Sequence, residues 1–281
     1  MTELSPAERF ALARARSADE KRGAPVAQFA ASLTHALDPY QRQACQSLAE
    51  GRSVLVAAPT GAGKTTVAEF GLYLAMRDEH TKVFYTAPMK ALSNQKFHEF
   101  CDLYGPENVG LLTGDTNINP GARIVVMTTE VLRNMLYADS DLLGDLGFVV
   151  MDEVHYLADR FRGAVWEEVI IHLPSHVRLI SLSATVSNAE EFGDWLQAVR
   201  GDTDVIVSED RPVPLQQHAL VQSQLIDLFD PKSNGNRVNP ELQDRARVSG
   251  RGVRGGPRSR RERNREHGHR GNWNARARDA L

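Results

Sequence analysis

The stretch Ala58–Thr65, with the sequence APTGAGKT, restricts the possible folds more than any other part of the chain. It follows an apolar run, Val54–Ala57, and precedes a run of helical pattern from Thr66 to Met76. A strand, a glycine-rich loop and a helix in this order are typical of a phosphate-binding loop, because the loop N–H groups and the helix N-terminus converge on phosphate oxygens. The sequence therefore predicts a protein that binds a nucleoside triphosphate.

Several positions in this loop have predicted roles. Gly61 and Gly63 allow backbone conformations and close approaches that a Cβ would exclude. Lys64 is placed to reach the β- and γ-phosphates, and the Thr65 hydroxyl is placed to ligate Mg²⁺. Ala58 replaces the first glycine of the usual pattern, but both loop glycines and the Lys-Thr pair are present. The alternative is a glycine-rich turn before an ordinary helix, which the flanking strand and helix disfavour.

Composition argues against several other classes of protein. The 281 residues are 42% hydrophobic and 25% charged, as in ordinary soluble globular proteins. No apolar run approaches the ~18 residues that a membrane span needs, and the start of the chain lacks the basic and apolar regions of a signal peptide. Cys45 and Cys101 lie far apart and form no CxxC pair, so neither a disulfide framework nor a zinc site is indicated. We expect a cytoplasmic protein with no membrane partner.

Strand-like runs alternate with helical runs through the middle of the chain. The predicted strands are Ser53–Ala57, Lys82–Ala87, Val109–Leu112, Arg123–Met127, Gly147–Met151, Val177–Ser183 and Val205–Val207. The predicted helices lie near residues 64–77, 89–103, 129–138, 164–173 and 188–198. Buried strands rich in Val and Ile that alternate with helices favour a mostly parallel sheet with helices on both faces.

The chain divides into four predicted segments: a helical extension over residues 1–32, a nucleotide-binding domain over 33–208, a linker and the start of an incomplete second domain over 209–230, and a disordered tail over 231–281. Within the extension, a capping box at Ser5–Glu8 predicts a helix that ends near Gly23. From Arg245 onward, the tail holds twelve arginines and three acidic residues, although the whole chain has a net charge of −3. This excess predicts a polyanionic partner, and a solvated linker with no ligand is the open alternative.

Polar clusters follow five of the predicted strands. They are the phosphate loop, Asp152–His155, Ser183–Thr185, Pro88–Lys90 and Thr128–Glu130. Because parallel strands end at the same edge of a sheet, we expect all five clusters at one edge. Asp152 is then placed to hold Mg²⁺ through water, and Glu153 to orient and deprotonate the attacking water. The alternative is a carboxylate pair at a helix start, favoured by the helix dipole; the phosphate loop upstream makes the catalytic role the stronger hypothesis.

Four longer stretches resemble a known family. Together with the loop and the order of the other motifs, they are similar to superkiller-type (Ski-like) DExH-box RNA helicases of superfamily two, over roughly residues 36–215. The stretches are Thr86–Lys96 (TAPMKALSNQK), Thr113–Pro120 (TGDTNINP), Thr128–Arg133 (TTEVLR) and Asp152–Glu168 (DEVHYLADRFRGAVWEE). The resemblance implies a RecA-like ATP-binding domain, with ATP and Mg²⁺ as cofactors and single-stranded RNA as partner, DNA being possible.

The resemblance also implies roles for individual residues. The nucleotide-binding set is Gln41, Thr60, Gly61, Ala62, Gly63, Lys64, Thr65 and Thr66, with Lys64, Asp152 and Glu153 in catalysis and Thr65 and Asp152 on Mg²⁺. The resemblance implies that His155, Ser183 and Thr185 couple the nucleotide state to the nucleic-acid site. The RNA backbone path is lined by Lys90, Thr113, Gly114, Asp115, Thr128 and Thr129. Two of these residues also have simpler structural interpretations. Gln41 is a good capping-box residue for a helix capped by Asp38. His155, taken alone, would be interpreted as a surface histidine.

Helicases of this family work with two RecA-like domains, and the second supplies an arginine finger. Too few residues follow Pro214 for such a domain, so we expect a piece of a longer helicase that binds ATP weakly and does not unwind duplexes alone. Leu215, Leu220 and Leu225 are expected to be exposed on an unprotected strand and to favour association. A DNA-directed helicase and a nucleotide-gated RNA-binding module without useful turnover are the alternatives.

Overall fold

The computed structural model describes residues 23–159, 163–184, 189–221, 223–230, 232–233 and 237–252, the last six by their backbone alone. The chain forms two compact units, one ending at Val213 and the other beginning at Pro214. In the described residues, no helix is both long enough and apolar enough to cross a bilayer.

The first unit is built on an eight-stranded sheet. Its strands are β1 (Ser53–Ala57), β2 (Lys82–Ala87), β3 (Val109–Thr113), β4 (Thr116–Ile118), β5 (Ile124–Thr128), β6 (Leu146–Met151), β7 (Arg178–Ser183) and β8 (Thr203–Val207). The spatial order is β4-β3-β5-β2-β6-β7-β1-β8. Every neighbouring pair is parallel except β3 and β4. The prediction of a mostly parallel sheet is therefore confirmed.

Helices cover both faces of this sheet. They are α1 (23–32), α2 (Pro39–Ala49), α3 (Thr65–Met76), α4 (Lys90–Tyr104), α5 (Thr129–Tyr137), α6 (Gly163–His172) and α7 (Ala189–Arg200), with short 3-10 turns at Pro106–Asn108, Asp141–Leu143 and Val154–Ala158. Strand β1 shows why two layers are needed, because Val54 and Val56 pack into one apolar core and Leu55 into the other. Adjacent residues of a strand point to opposite faces, so a strand that is apolar throughout must be covered on both.

The helix predicted from the capping box at Ser5–Glu8 lies outside the described residues. Residues 23–32, within the predicted helical extension, form a helix. Val26 and Phe29, spaced for one helix face, are buried there, and the Phe29 ring packs edge-on against Phe70 at 5.2 Å. Strand β4 was not predicted, because this three-residue edge strand is too short and too polar to be recognised from its pattern.

The second unit contains a β-hairpin and a helix. Strands β9 (His218–Val221) and β10 (Gln224–Asp227) pair antiparallel, where a single strand and a turn were expected. Leu220 and Leu225 stand opposite each other in this pairing and are 72% and 67% exposed, and Leu215 is 70% exposed. The expected exposure of these three leucines is thus confirmed.

The prediction of disorder over residues 231–281 is wrong for α8 (Pro240–Gly252). The side chain of Asn239 accepts a hydrogen bond from Glu241 N at 3.1 Å, and Pro240 occupies the first helical position. Both features favour a helix start. Glu241 also pairs with Arg245 one turn later, which supports the helix in spite of its high polarity. Most of the basic tail lies beyond the described residues.

Candidate functional site

The carboxyl ends of the parallel strands bring the predicted polar residues to one edge of the sheet. Two clusters form there, each from three neighbouring strands. The phosphate-loop cluster follows β6, β7 and β1 and contains Asp152, Glu153, Ser183 and the loop Ala58–Thr65; the Lys90 cluster follows β3, β5 and β2 and contains Thr113, Gly114, Asp115, Thr128 and Lys90. The sheet thus sets the two clusters side by side.

The phosphate loop has the backbone shape that its sequence predicts. Gly61 and Gly63 have φ angles of 82° and 83°, a region that favours glycine. The Lys64 ammonium lies across the loop and donates to the carbonyl oxygens of Ala58 at 2.8 Å and Pro59 at 3.1 Å. Phosphate oxygens entering the loop can replace these two carbonyls as partners of Lys64 at little cost, because a carbonyl is a weaker partner for an ammonium group than an anion is.

The start of α2 is tied to this loop by two side chains. Gln41 accepts a hydrogen bond from Asp38 N at 2.9 Å, as expected for a capping box, and donates from its amide to Gly63 O at 2.9 Å. The Tyr40 hydroxyl donates to Ala62 O. Gln41 therefore has the structural role that its position predicts and also touches the phosphate loop. Its contact with adenine remains a prediction.

Asp152 is held by hydrogen bonds on both carboxylate oxygens. The Tyr85 hydroxyl donates to Oδ2 at 2.6 Å, and Glu153 N donates to Oδ1 at 3.0 Å. Burial and the negative charge of Asp152 raise the pKa of Tyr85 well above its ordinary value, so its hydroxyl stays protonated and acts as a donor. Asp152 and its neighbours therefore form a defined acceptor site rather than a mobile surface carboxylate.

Glu153 occupies an unusual backbone position. Its φ and ψ angles of 56° and 44° are left-handed, a conformation that costs of order 1 kcal/mol for a residue with a Cβ and is often found at functional sites. Burial and the charge of Asp152 raise the pKa of its carboxyl, opposed by His155 and Lys64. His155 Nδ1 lies 3.2 Å from Glu153 Oε2, an ion-pair distance without hydrogen-bond alignment.

The charges of the loop and of the β6 end influence each other. Burial lowers the pKa of the Lys64 ammonium, and the carboxylates of Glu153 and Asp152 oppose this shift. Thr65, the first residue of α3, is half-buried beside Lys64. Hydroxyl and carboxylate oxygens are ligands that Mg²⁺ accepts, usually together with substrate phosphates and water, so Thr65 and Asp152 fit a Mg²⁺ ion that arrives with a nucleotide.

A cavity of about 600 Å³ lies next to the loop. Pro39, Tyr40 and Ala62 form part of its wall, and the chain segment Val207–Pro212 after β8 forms another part. Its volume is in the range of small-molecule sites. The segment Val207–Pro212 was not predicted as part of a site, because irregular backbone after a strand carries no recognisable sequence pattern.

The Lys90 cluster is more exposed. Lys90, at the start of α4, pairs with Asp115, and the Thr113 hydroxyl donates to Asp115 Oδ1 at 3.0 Å. The hydrogen bonds from Lys90 and Thr113 lower the pKa of the Asp115 carboxyl. Thr128 is half-buried just before α5, but Thr129 is only 1% exposed and lies below this surface. Its predicted role in lining the RNA path stays a prediction.

Residues 38–192 match the profile of the DEAD/DEAH box helicases. The chain belongs to this family. Probable helicase HelY of Mycobacterium leprae is 60% identical over 221 residues, which cover 78% of this chain and 24% of that protein. Antiviral helicase SKI2 of Saccharomyces cerevisiae is 48% identical over 204 residues, which cover 72% of this chain and 16% of that protein. The chain thus spans about a quarter or less of the length of these relatives.

A solved helicase structure shows the same fold. The helicase Lhr of Mycobacterium smegmatis, bound to single-stranded DNA and AMP-PNP, superimposes with a TM-score of 0.55 and 27% identity over 66% of this chain and 27% of that one. The resemblance to Ski-like DExH-box helicases and the RecA-like fold class predicted from the sequence are therefore confirmed. The chain therefore corresponds to one part of longer proteins that are named helicases.

Within this helicase domain, the predicted coupling residues are placed unequally. His155 stands beside Glu153, and Ser183 O accepts a hydrogen bond from Ala58 N at 3.1 Å, which joins β7 to the phosphate loop. Thr185 lies outside the described residues. Of the remaining nucleotide-binding set, Thr60 is exposed on the loop, whereas Ala62 and Thr66 are buried. The functional roles of these residues stay predictions.

Two tyrosines of the site were not predicted from the sequence. Tyr40 and Tyr85 donate to the loop backbone and to Asp152, respectively. One signal was available for Tyr85, because a phenol in a strand that is apolar on both faces needs a buried hydrogen-bond partner. Its identity required the neighbour relation of β2 and β6, which the chain order does not reveal.

Proposed function

We propose that this chain binds Mg·ATP at the phosphate-loop cluster and hydrolyses it slowly, and that single-stranded RNA bound at the Lys90 cluster stimulates hydrolysis. One observation carries the proposal: the loop lysine, the paired carboxylates and a cavity of nucleoside-site size converge at the carboxyl edge of a RecA-like sheet. This arrangement supports ATP binding more directly than any single motif.

Different residues of the chain have different roles in this proposed function. The loop amides and Lys64 hold the phosphates, and the cavity beside Tyr40 takes the base. Thr65 and Asp152 are the residues that would hold Mg²⁺, which neutralises phosphate charge when it is bound. Glu153 orients a water molecule and accepts its proton. The raised pKa of Glu153 makes its carboxylate a stronger proton acceptor than an exposed glutamate, as a general base requires.

Single-stranded RNA is the partner that we propose for the Lys90 cluster. An exposed lysine at a helix start, with hydroxyls at nearby strand ends, suits contacts with a phosphate backbone, which position a strand without reading its sequence. A relative from Arabidopsis thaliana that is 46% identical over 212 residues is named an ATP-dependent RNA helicase, whereas the Lhr structure contains single-stranded DNA. The higher identity to the RNA-directed relative supports RNA over DNA. A cytoplasmic setting fits the free cysteines Cys45 and Cys101.

The rate of ATP hydrolysis by the 281-residue chain tests this proposal. It is measured with Mg²⁺ alone, with single-stranded RNA and with single-stranded DNA of the same sequence, and Glu153→Gln serves as the blank. We expect a slow rate that RNA raises more than DNA does and that the variant lacks. Nucleotide binding without turnover would support a nucleotide-gated RNA-binding module instead. Equal or stronger stimulation by DNA would support a DNA-directed helicase.

A further inference from the structure

A residue of a neighbouring strand sets the orientation of the Asp152 carboxylate. One of its two donors, Glu153 N, is its neighbour in the chain, but the other is the hydroxyl of Tyr85 on β2, at 2.6 Å from Oδ2. The backbone of the same strand also holds Asp152, since Asp152 N donates to Thr86 O at 3.0 Å. Strand β2 thus fixes both the backbone and the side chain of Asp152.

Tyr85 is itself held rigidly. It is completely buried, and β2 lies between β5 and β6, so its backbone is paired on both sides. Its ring meets the Phe100 ring of α4 edge-on, with centroids 5.3 Å apart and an angle of 72°. A ring packed in this way has no free rotation about its first side-chain torsions, because interiors are close-packed. The hydroxyl therefore presents its hydrogen bond from a fixed position.

We propose that Tyr85 is a positioning residue that orients Asp152 toward the Mg²⁺ ion of the bound nucleotide. An ionised carboxylate offers about four acceptor positions, and the two hydrogen bonds to Asp152 leave the others for water or metal in a set direction. The inference rests on the proposed function, since it requires that Asp152 take part in holding Mg²⁺. It assigns to a tyrosine outside the recognised motifs a part in metal affinity.

The test compares Tyr85→Phe with Tyr104→Phe. Tyr104 belongs to the same aromatic cluster, with its ring centroid 6.3 Å from that of Phe100, so its variant removes a phenol hydroxyl near Tyr85 without removing the donor to Asp152. For each protein, a fluorescent ATP analogue is titrated in EDTA and then, at fixed analogue, with Mg²⁺. Outer-shell partners typically change metal affinity by about 10-fold or more, and we expect a rise of about that size in the Mg²⁺ concentration for half-maximal effect in Tyr85→Phe alone.

The affinity for the ATP analogue in EDTA distinguishes a positioning role of Tyr85 from general damage to the nucleotide site. We expect it to be unchanged in Tyr85→Phe, because the loop contacts are intact. An equal loss of affinity in EDTA and in Mg²⁺ would show a merely structural role, and an unaltered Mg²⁺ dependence would also overturn the proposal. Failure of the unsubstituted chain to bind the analogue would instead refute the proposed function.

A second comparison uses two proteins that both lack the Asp152 carboxylate. They are Asp152→Asn and the double variant Tyr85→Phe, Asp152→Asn, and together with the single Tyr85→Phe variant they complete a double-mutant cycle. In both of these variants the carboxylate charge at position 152 is absent, so loss of the Tyr85 hydroxyl leaves no unpaired carboxylate. We expect the two to share one Mg²⁺ dependence, since Tyr85 acts through Asp152. A further weakening of at least several-fold in the double variant would contradict the inference.

Discussion

Gly63→Ala should weaken ATP binding through a collision that the structure identifies. With φ at 83°, Gly63 is in a region that costs an L-residue about 1–2 kcal/mol. A Cβ there would also lie 2.8 Å from Gln41 Nε2. That amide group cannot simply move away, because the Gln41 side chain is hydrogen-bonded to both Asp38 N and Gly63 O. Displacing it should cost about a further 1 kcal/mol for each hydrogen bond lost.

Gly61→Ala is the matched control. Gly61 has nearly the same φ, 82°, but a Cβ at that position would have no atom within 4 Å. Gly61→Ala should therefore show the backbone cost alone, a loss of roughly 5- to 30-fold in affinity at 1.4 kcal/mol for each tenfold change. Gly63→Ala should lose about another fivefold or more, because it adds the displacement of Gln41.

The measurement is the dissociation constant of a fluorescent ATP analogue in Mg²⁺, with thermal unfolding to confirm that each variant folds. In a Gln41→Ala background the collision is absent, so the additional Gly63→Ala substitution should cost no more than Gly61→Ala does. Equal affinities of Gly61→Ala and Gly63→Ala in the unsubstituted background would refute the argument. So would an undiminished effect of Gly63→Ala in the Gln41→Ala background.

Three further predictions concern turnover and nucleic-acid binding. Glu153→Gln should keep the affinity for the ATP analogue while abolishing hydrolysis, since only the proton acceptor is lost; parallel loss of binding would show that Glu153 shapes the loop. Lys90→Ala should weaken single-stranded RNA binding and lower the slope of log affinity against log salt by ~0.7, the value for one phosphate contact. Lys82→Ala, which removes a lysine at the opposite end of β2, should leave both unchanged, and equal effects of the two variants would argue against a site at the carboxyl edge. Deleting residues 245–281 should also weaken RNA binding and flatten its salt dependence because twelve arginines are lost, whereas an unchanged slope would indicate a linker.

Seven of the eight strands could be predicted, because each of them contains a short apolar run. Ser53–Ala57 and Lys82–Ala87 were predicted with the boundaries that the structure has. A short apolar run followed by Gly, Pro or a polar cluster marks where a buried strand ends, and in a parallel sheet that end is also where ligands bind. The carboxyl-edge positions of Lys64, Asp152 and Lys90 followed from strand ends alone.

Contacts between strands that are distant in sequence could not be predicted in the same way. The hydrogen bond from Tyr85 to Asp152 depends on β2 and β6 being neighbours, although β3, β4 and β5 separate them in the chain. The left-handed backbone of Glu153 has no sequence signal either, because glutamate is an uncommon residue there and only the surrounding fold imposes the conformation. The motif that contains Thr129 likewise does not indicate that its side chain is buried.

The affinity of the 281-residue chain for a fluorescent ATP analogue in Mg²⁺, compared with that of Lys64→Ala, tests the central claim most directly. In the structure the Lys64 ammonium lies across the loop that is to hold the phosphates, and its two carbonyl partners are the groups that phosphates would replace. Charge-assisted contacts to phosphate are about twice as strong as neutral hydrogen bonds, so the account predicts a loss of affinity of roughly tenfold or more in the variant. Equal affinities of the two proteins would contradict it.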